Sequence, residues 1–430
     1  MTMTKVKHIM TLAAVMVSAM VSAQQNGAWV LYDTKTSDIG GDNISAVAPD
    51  GKGGVWVGSY FGLSRLTNGT WMDYAMFNEK LKDQSVNCLM TDQRGVLWVG
   101  TDDHGVIEFD GTHWTEYTTE TRRLKMKFVK EIVQDKDGVF WIGVTLGGLV
   151  RYDGYSWEKY TPDDCDLLSD FVLDLAVDRA NRKWITTNAG VSVYNDRTWT
   201  SYTVHNSGLP DDIVPAVAID KNNTKWFGTL GGLCSFDGEE WRTWNTSNSP
   251  LPSNQINDIG IDADGLLWIA TAGGAAVFDG VDRWVVFTSK NSPLPQGNIY
   301  KVASDQRGNH WFGHDSKGLA RLSGFRMPEA KRADEPADHR VATPAAGKAE
   351  PAKSDEKVRI NPHLAEGYIT ITHESPTATV TFTNVQGKVV KTVNNYKNGQ
   401  RITIGRMAKG MYTVGVKTGR GERRIKFNLK

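Results

Sequence analysis

The short run Leu97-Trp98-Val99-Gly100-Thr101 returns along the chain on a fixed beat, and that beat limits the fold more than any other feature. Its tryptophans are Trp56, Trp98, Trp141, Trp184, Trp226, Trp268 and Trp311, each 42 or 43 residues from the next. A second series, Trp29, Trp71, Trp114, Trp157, Trp199, Trp241 and Trp284, keeps the same spacing. Each of these is followed three residues on by an aromatic: Tyr32, Tyr74, Tyr117, Tyr160, Tyr202, Trp244 and Phe287. A period of about 40 to 45 residues filled with short apolar runs is the pattern of a four-stranded propeller blade.

The punctuation inside each repeat fits four strands. In the third, Glu131 to Gln134 reads as a strand, Asp135-Lys136-Asp137-Gly138 as a turn, and Val139 to Gly143 as the tryptophan strand. Gly148 to Tyr152 and Trp157 to Tyr160 supply the other two, joined at Asp153-Gly154. The equivalents of that joint are Asn68-Gly69, Asp110-Gly111, Asn195-Asp196, Asp237-Gly238, Asp279-Gly280 and Ser323-Gly324. They predict hairpin turns whose two central residues both take positive φ. Side chains alternate along a strand, so Trp157 and Tyr160 face opposite ways and both faces need cover. Radially stacked blades supply it. Burying one indole is worth roughly 4 to 6 kcal/mol as an upper bound, and a fixed register argues for a core rather than a row of ligand stackers.

The last repeat has no Trp-x-x-Tyr after Gly324, and the chain begins with the missing piece. Ala28 to Tyr32 is therefore predicted as the outermost strand of the seventh blade, closing the ring without a free edge. The expected fold class is all-β: a seven-bladed propeller closed by the N-terminal strand, followed by a small C-terminal β-sandwich. The expected divisions are an export signal at 1–23, the propeller at 24–326, a linker at 327–357 and the sandwich at 358–430.

The export signal rests on Lys5 and Lys7 before an apolar run from Ile9 to Val21, with Val21-Ser22-Ala23 offering small residues for cleavage. No other stretch is long and apolar enough to span a bilayer, so no transmembrane segment is expected in the mature chain. The linker scatters Pro328, Pro336, Pro344 and Pro351 among Ala, Lys, Glu and Asp. Six short strands are expected after it, from Tyr368 to Leu429. Formal net charge is zero, yet from Val358 onward thirteen Lys and Arg face three Asp and Glu, a net +10. The rest of the chain compensates, which argues against a nucleic-acid-binding body. Cys88, Cys165 and Cys234 have no disulfide or zinc spacing, and neither a cofactor nor a metal is called for.

In such a ring the connections between second and third strands, and the crossings between blades, gather at one end. Blades three to six have plain second-to-third connections, Thr145-Leu146-Gly147 being the first of them. Three neighbouring blades depart from this, with Tyr60 and Phe61 in the first, Asp102, Asp103 and His104 in the second, and His314, Asp315 and Lys317 in the seventh. The crossing into blade three adds Arg122 and Arg123. This cluster is the candidate ligand site, with Tyr60 and Phe61 as stacking platforms and the charges as orienting partners; solvated turns are the alternative. His104 beside two carboxylates has the makings of a general base. His310, just before Trp311 in a slot held elsewhere by Leu97, Phe140 or Lys183, is read as structural, and a metal shared with His314 would have to bridge about 13 Å of strand.

The repeats, with Leu97 to Thr101 and Gly148 to Gly154 as their clearest copies, resemble the two-component regulator propeller repeat. In that family such propellers usually stand outside a membrane-spanning sensor kinase and recognise glycans. This chain shows one ring and neither a later membrane helix nor a kinase, so the resemblance carries the ring and not the signalling. The last seventy or so residues are similar to the type A C-terminal sorting domain of type IX secretion cargo, through Val358-Arg359-Ile360-Asn361-Pro362, Val385 to Val390, Gly410 to Val414 and the basic end Lys426 to Lys430. That resemblance implies engagement of the type IX machinery by 358–430, cleavage in the linker, and attachment to lipopolysaccharide at the surface of a Gram-negative bacterium. The expected function is a secreted, surface-displayed, non-catalytic binding module for a glycan or protein, acting as a monomer. The alternatives are an accessory of the surface attachment complex that binds lipopolysaccharide, and a polysaccharide or lactone-type lyase.

Overall fold

The computed structural model describes residues 27–82, 84–117 and 127–329, together with 359–363, 368–372, 378–384, 389–397, 402–403, 410–418 and 421–429. The export signal expected at 1–23, residues 330–357 of the linker expected at 327–357, and the arginines Arg122 and Arg123 lie outside them. The chain divides into two compact units, Met1–Arg332 and Ala333–Lys430.

Seven four-stranded antiparallel sheets make up the first unit. Six of them run in simple chain order, from the sheet starting at Ile44–Pro49 to the one ending at Trp284–Phe287. The seventh is Ile299–Ser304, Asn309–His314 and Leu319–Ser323, with Ala28–Tyr32 as its outer strand. The closing strand pairs Ala28 with Ser323 and Tyr32 with Leu319, as the missing aromatic strand required. Inner strands of successive blades touch all the way round, including the first against the seventh, which makes the ring continuous.

The turns explain why an aspartate stands six residues before every inner tryptophan, from Asp50 before Trp56 to Asp305 before Trp311. Asp135 Oδ1 accepts the N–H groups of Asp137 and Val139 at 3.0 Å each, while Oδ2 accepts the Trp141 indole N–H at 2.8 Å. Asp92, Asp178, Asp220, Asp262 and Asp305 make the same indole bond at 2.8–3.4 Å. One carboxylate thus satisfies a turn and a buried indole together. The third-to-fourth turns correct the expectation that both central residues take positive φ. Both do so at Asn68-Gly69, but at Asp153-Gly154 only the glycine does. There Asp153 Oδ1 accepts from Tyr155 and Ser156, so the turn is held by a side-chain cap that needs one positive-φ residue instead of two.

The slot before each inner tryptophan decides how adjacent blades meet. Phe140 lies over Trp98 with ring centroids 4.1 Å apart, and His310 over Trp268 at 3.6 Å. Lys183 reaches over Trp141 at 4.7 Å and Lys225 over Trp184 at 5.1 Å. His310 is structural, as its slot implied. Lys183 is fully buried but paired, with Asp196 and with Asp135 at 3.6 Å. Smaller residues fill less of the space: cavities of about 120, 260 and 100 Å³ lie where Leu97, Leu267 and Val55 hold the slot.

The second unit is a sandwich of a three-stranded and a four-stranded sheet. Ile371 and Ile402 from one share a core with Val380, Phe382, Val414 and Val416 from the other. The buried Tyr396 hydroxyl joins the sheets by accepting the Ile371 N–H at 2.6 Å and donating to its carbonyl at 3.0 Å. A strand at Arg359–His363 adds to the six expected. Pro362 hid it, and the strand sits at a sheet edge, where a missing N–H costs least.

Candidate functional site

Up-and-down blades put the second-to-third connections and the crossings at one end of the ring, and the tight turns at the other. At the first end a hydroxyl repeats: Thr229 Oγ1 accepts the Gly231 N–H at 3.0 Å and donates to the Gly232 carbonyl at 2.8 Å. Ser59 does the same in the first blade, accepting from Phe61 and facing the Gly62 carbonyl. The pair between, Tyr60 and Phe61, is thereby held outward, 48% and 57% exposed. Gly41 leaves room for the Phe61 ring, since a Cβ there would come within 3.0 Å of it.

Tyr60 is where the three neighbouring blades meet. Its hydroxyl pKa is raised by burial first, then by Tyr300, Asp102 and Asp315. Tyr300 was not singled out by sequence. It is the residue a bulge inserts between Ile299 and Lys301, which turns it outward, where it is partly exposed. Asn43 ties blades seven and one here by donating to the Asp315 carbonyl.

The charged candidates divide. Asp102 accepts from Asn87 Nδ2 at 2.6 Å, and Asp103 pairs with Lys127 at 3.0 Å on the surface. Neither pairs with His104, whose Nδ1 is enclosed without a hydrogen-bond partner. The general-base reading of His104 thus lacks its orienting carboxylate, because both neighbours are engaged elsewhere. His314 points inward at 3% exposure, with Nδ1 2.9 Å from Asp315 and 3.2 Å from the Ser316 N–H. Burial lowers its pKa, against the pull of Asp315 and the Gln296 backbone. Lys317 is exposed.

Sequence reading missed a charged layer formed by the inner strands. The inner-strand residue facing the next strand's glycine, threonine or alanine, which follows a bulge in every blade but the fifth, is Ala46, Cys88, Glu131, Asp174, Ala216, Asp258 or Lys301. Lys301 Nζ of blade seven lies 3.6 Å from Glu131 of blade three and 3.5 Å from Asp258 of blade six, so the layer closes across the ring. Burial pushes the carboxyls of Glu131 and Asp174 up, and the three carboxyls together hold the Lys301 ammonium up. The signal was available: these positions keep the tryptophan beat.

Residues 360–430 match the family of secretion system C-terminal sorting domains, and residues 80–103 and 250–273 match the two component regulator propeller family. No curated protein matches the chain by sequence. Among solved structures, the extracellular domain of a putative hybrid two component system, BT3049 of B. thetaiotaomicron, is similar at 18% identity and TM-score 0.62, over 94% of this chain and 57% of that one. PorZ, a surface component of the type-IX secretion system of Porphyromonas gingivalis, is similar at 16% identity and TM-score 0.53, over 93% of this chain and 60% of that one. Virginiamycin B lyase of Staphylococcus aureus is similar at 14% identity and TM-score 0.56, over 69% of this chain and 99% of that one. The chain thus spans under two thirds of the first two, and at such identities the likeness is one of fold. Among the described residues no helix is long and apolar enough to cross a membrane.

Proposed function

We propose that this chain, with its two component regulator propeller repeats and its secretion system C-terminal sorting domain, is a surface-displayed binding module exported as type IX secretion cargo. The sorting domain carries the export and surface parts of that reading. The binding part rests on one observation: Tyr60 and Phe61 project side by side from a loop whose counterparts in blades three to six are plain, with Tyr300, Asp102 and Asp315 around them. Paired aromatics with flanking carboxylates suit a sugar, whose apolar face stacks while its hydroxyls donate to the acids. Asp102 and Asp315 hold Asn87 and His314, which fixes their direction.

No catalytic step is assigned, since His104 has no carboxylate to orient it. Screening the purified chain on a glycan array, with a Tyr60→Ala/Phe61→Ala protein beside it, tests the reading. Binding lost in the double variant, with no change in the glycan, supports it; turnover of the bound glycan would transfer the assignment to a lyase. A second reading, accessory to the surface attachment complex with lipopolysaccharide as ligand, is favoured by the likeness to PorZ, which runs through the tail as well as the ring. Accumulation of unprocessed cargo in a deletion strain would select it.

A further inference from the structure

We propose that the seam where the ring closes carries a second site, at the turn end of the ring, for an oxyanion: a phosphate, sulfate or carboxylate group of a small ligand. The cavity of about 100 Å³ between blades seven and one is lined by Arg321, Arg307, Trp311, Asn68, Asn309 and Asp305, among others. A neighbouring hollow of about 140 Å³ shares Arg307 and brings in Lys52. Both fall well below the roughly 300 Å³ of sites that enclose a whole drug-sized molecule, so one charged group is what they can hold.

The repeat supplies its own control. Arg65, Arg151 and Arg321 stand at one register position, each opposite the inner tryptophan of its blade. Arg65 is paired with Asp50 at 2.5 Å, and Arg151 with Asp153 at 3.1 Å. Among the described residues Arg321 has no carboxylate within 4.0 Å and its Nε is enclosed without a hydrogen-bond partner; its guanidinium lies 5.7 Å over Trp311 and 6.0 Å over Tyr32. Among the described residues the Arg307 guanidinium donates to backbone carbonyls alone, Lys52 at 3.3 Å and Gly53 at 3.4 Å. Two guanidiniums facing one hollow repel until an anion sits between them, and their forked donors match the spacing of oxyanion oxygens.

Asp305 does not serve as that anion. Its Oδ1 accepts the Arg307 and Asn309 N–H groups at 2.9 Å each, and its Oδ2 accepts from Asn309 Nδ2 at 2.8 Å and from the Trp311 indole at 3.4 Å. Gly53 admits Arg307 to the seam: at φ +95°, a Cβ on it would fall 1.7 Å from Arg307 Nη2.

Calorimetric titration of the full chain with inorganic phosphate, sulfate and glucuronate at constant ionic strength tests the site. Saturable binding of at least one is expected, weakened at least about tenfold by Arg321→Gln and unchanged by Arg65→Gln, whose guanidinium is already paired. Gly53→Ala, which drives Arg307 out while leaving Arg321, weakens it too and stands in if Arg321→Gln fails to melt cooperatively. Preference for phosphate or sulfate identifies a free or esterified oxyanion, and preference for glucuronate a sugar acid. No saturable heat with any of the three, or equal affinity in the Arg321→Gln protein, overturns the proposal.

Discussion

The two ends of the ring use the same residue types to opposite ends. At the turn end, Asp92, Asp135, Asp178, Asp220, Asp262 and Asp305 each spend their oxygens on backbone N–H groups and an indole. At the loop end, Asp102 and Asp315 hold one or two side-chain partners and face exposed aromatics. A carboxylate buried in the repeat's own hydrogen bonds stabilises the repeat and offers a ligand little; one left at an open loop does the reverse. A count of charged residues does not separate the two, whereas a count of their partners does.

The largest effect expected is on closure. Removing residues 24–36 deletes the outer strand of blade seven and bares Leu322 and Phe312, both buried now; the truncated chain should show no cooperative melt, and an unchanged melting temperature would break the closure argument. Next, Asp178→Ala at the turn end strips the caps from Ala180 and Arg182, the ion pair to Arg182 and the bond to the Trp184 indole. It should cost about 3 kcal/mol in denaturant unfolding, since buried donors are left unmade.

His310 gives a pH test of the slot. Burial lowers its pKa to about 4 from the usual 6.5, so the folded state favours the neutral ring. The stability it contributes is full above pH 6.5 and is lost as pH falls through the window down to about 4. His310→Phe places at Trp268 the residue type that already covers Trp98, and the variant's melting temperature should gain on the parent's as pH drops from 7 toward 4. A constant difference across that range would show that His310 does not titrate with unfolding. Smallest in stability is Tyr60→Ala/Phe61→Ala at the loop end, expected to cost about 1 kcal/mol, because roughly half of each ring already lies in solvent in the folded chain. Its ligand binding should nevertheless vanish, which sharpens the contrast with Asp178→Ala.

Much of this architecture was legible without coordinates. The beat of Trp56 to Trp311 yields the number of blades, and the absent aromatic pair after Gly324 yields the way the ring shuts. The strand at Arg359–His363 was not legible, because a proline inside a short run reads as a break. At the candidate site, Tyr60 and Phe61 stood out as departures from a repeated loop. Tyr300 did not, because its exposure comes from a bulge in the inner strand rather than from its own neighbourhood in the chain.

What the chain determines by itself is everything periodic: side chains at a fixed spacing meet equivalent surroundings in every blade, so one repeat predicts the rest. What tertiary structure alone decided are the partners of individual side chains, within a blade and across the ring. Lys301 reaches Glu131 across the ring, Arg321 is left, among the described residues, without the carboxylate that Arg65 and Arg151 have, and the carboxylates beside His104 turn to other partners. The reason is physical: charges and hydrogen bonds act over a few ångströms, and only closure of the ring sets which groups come within that reach.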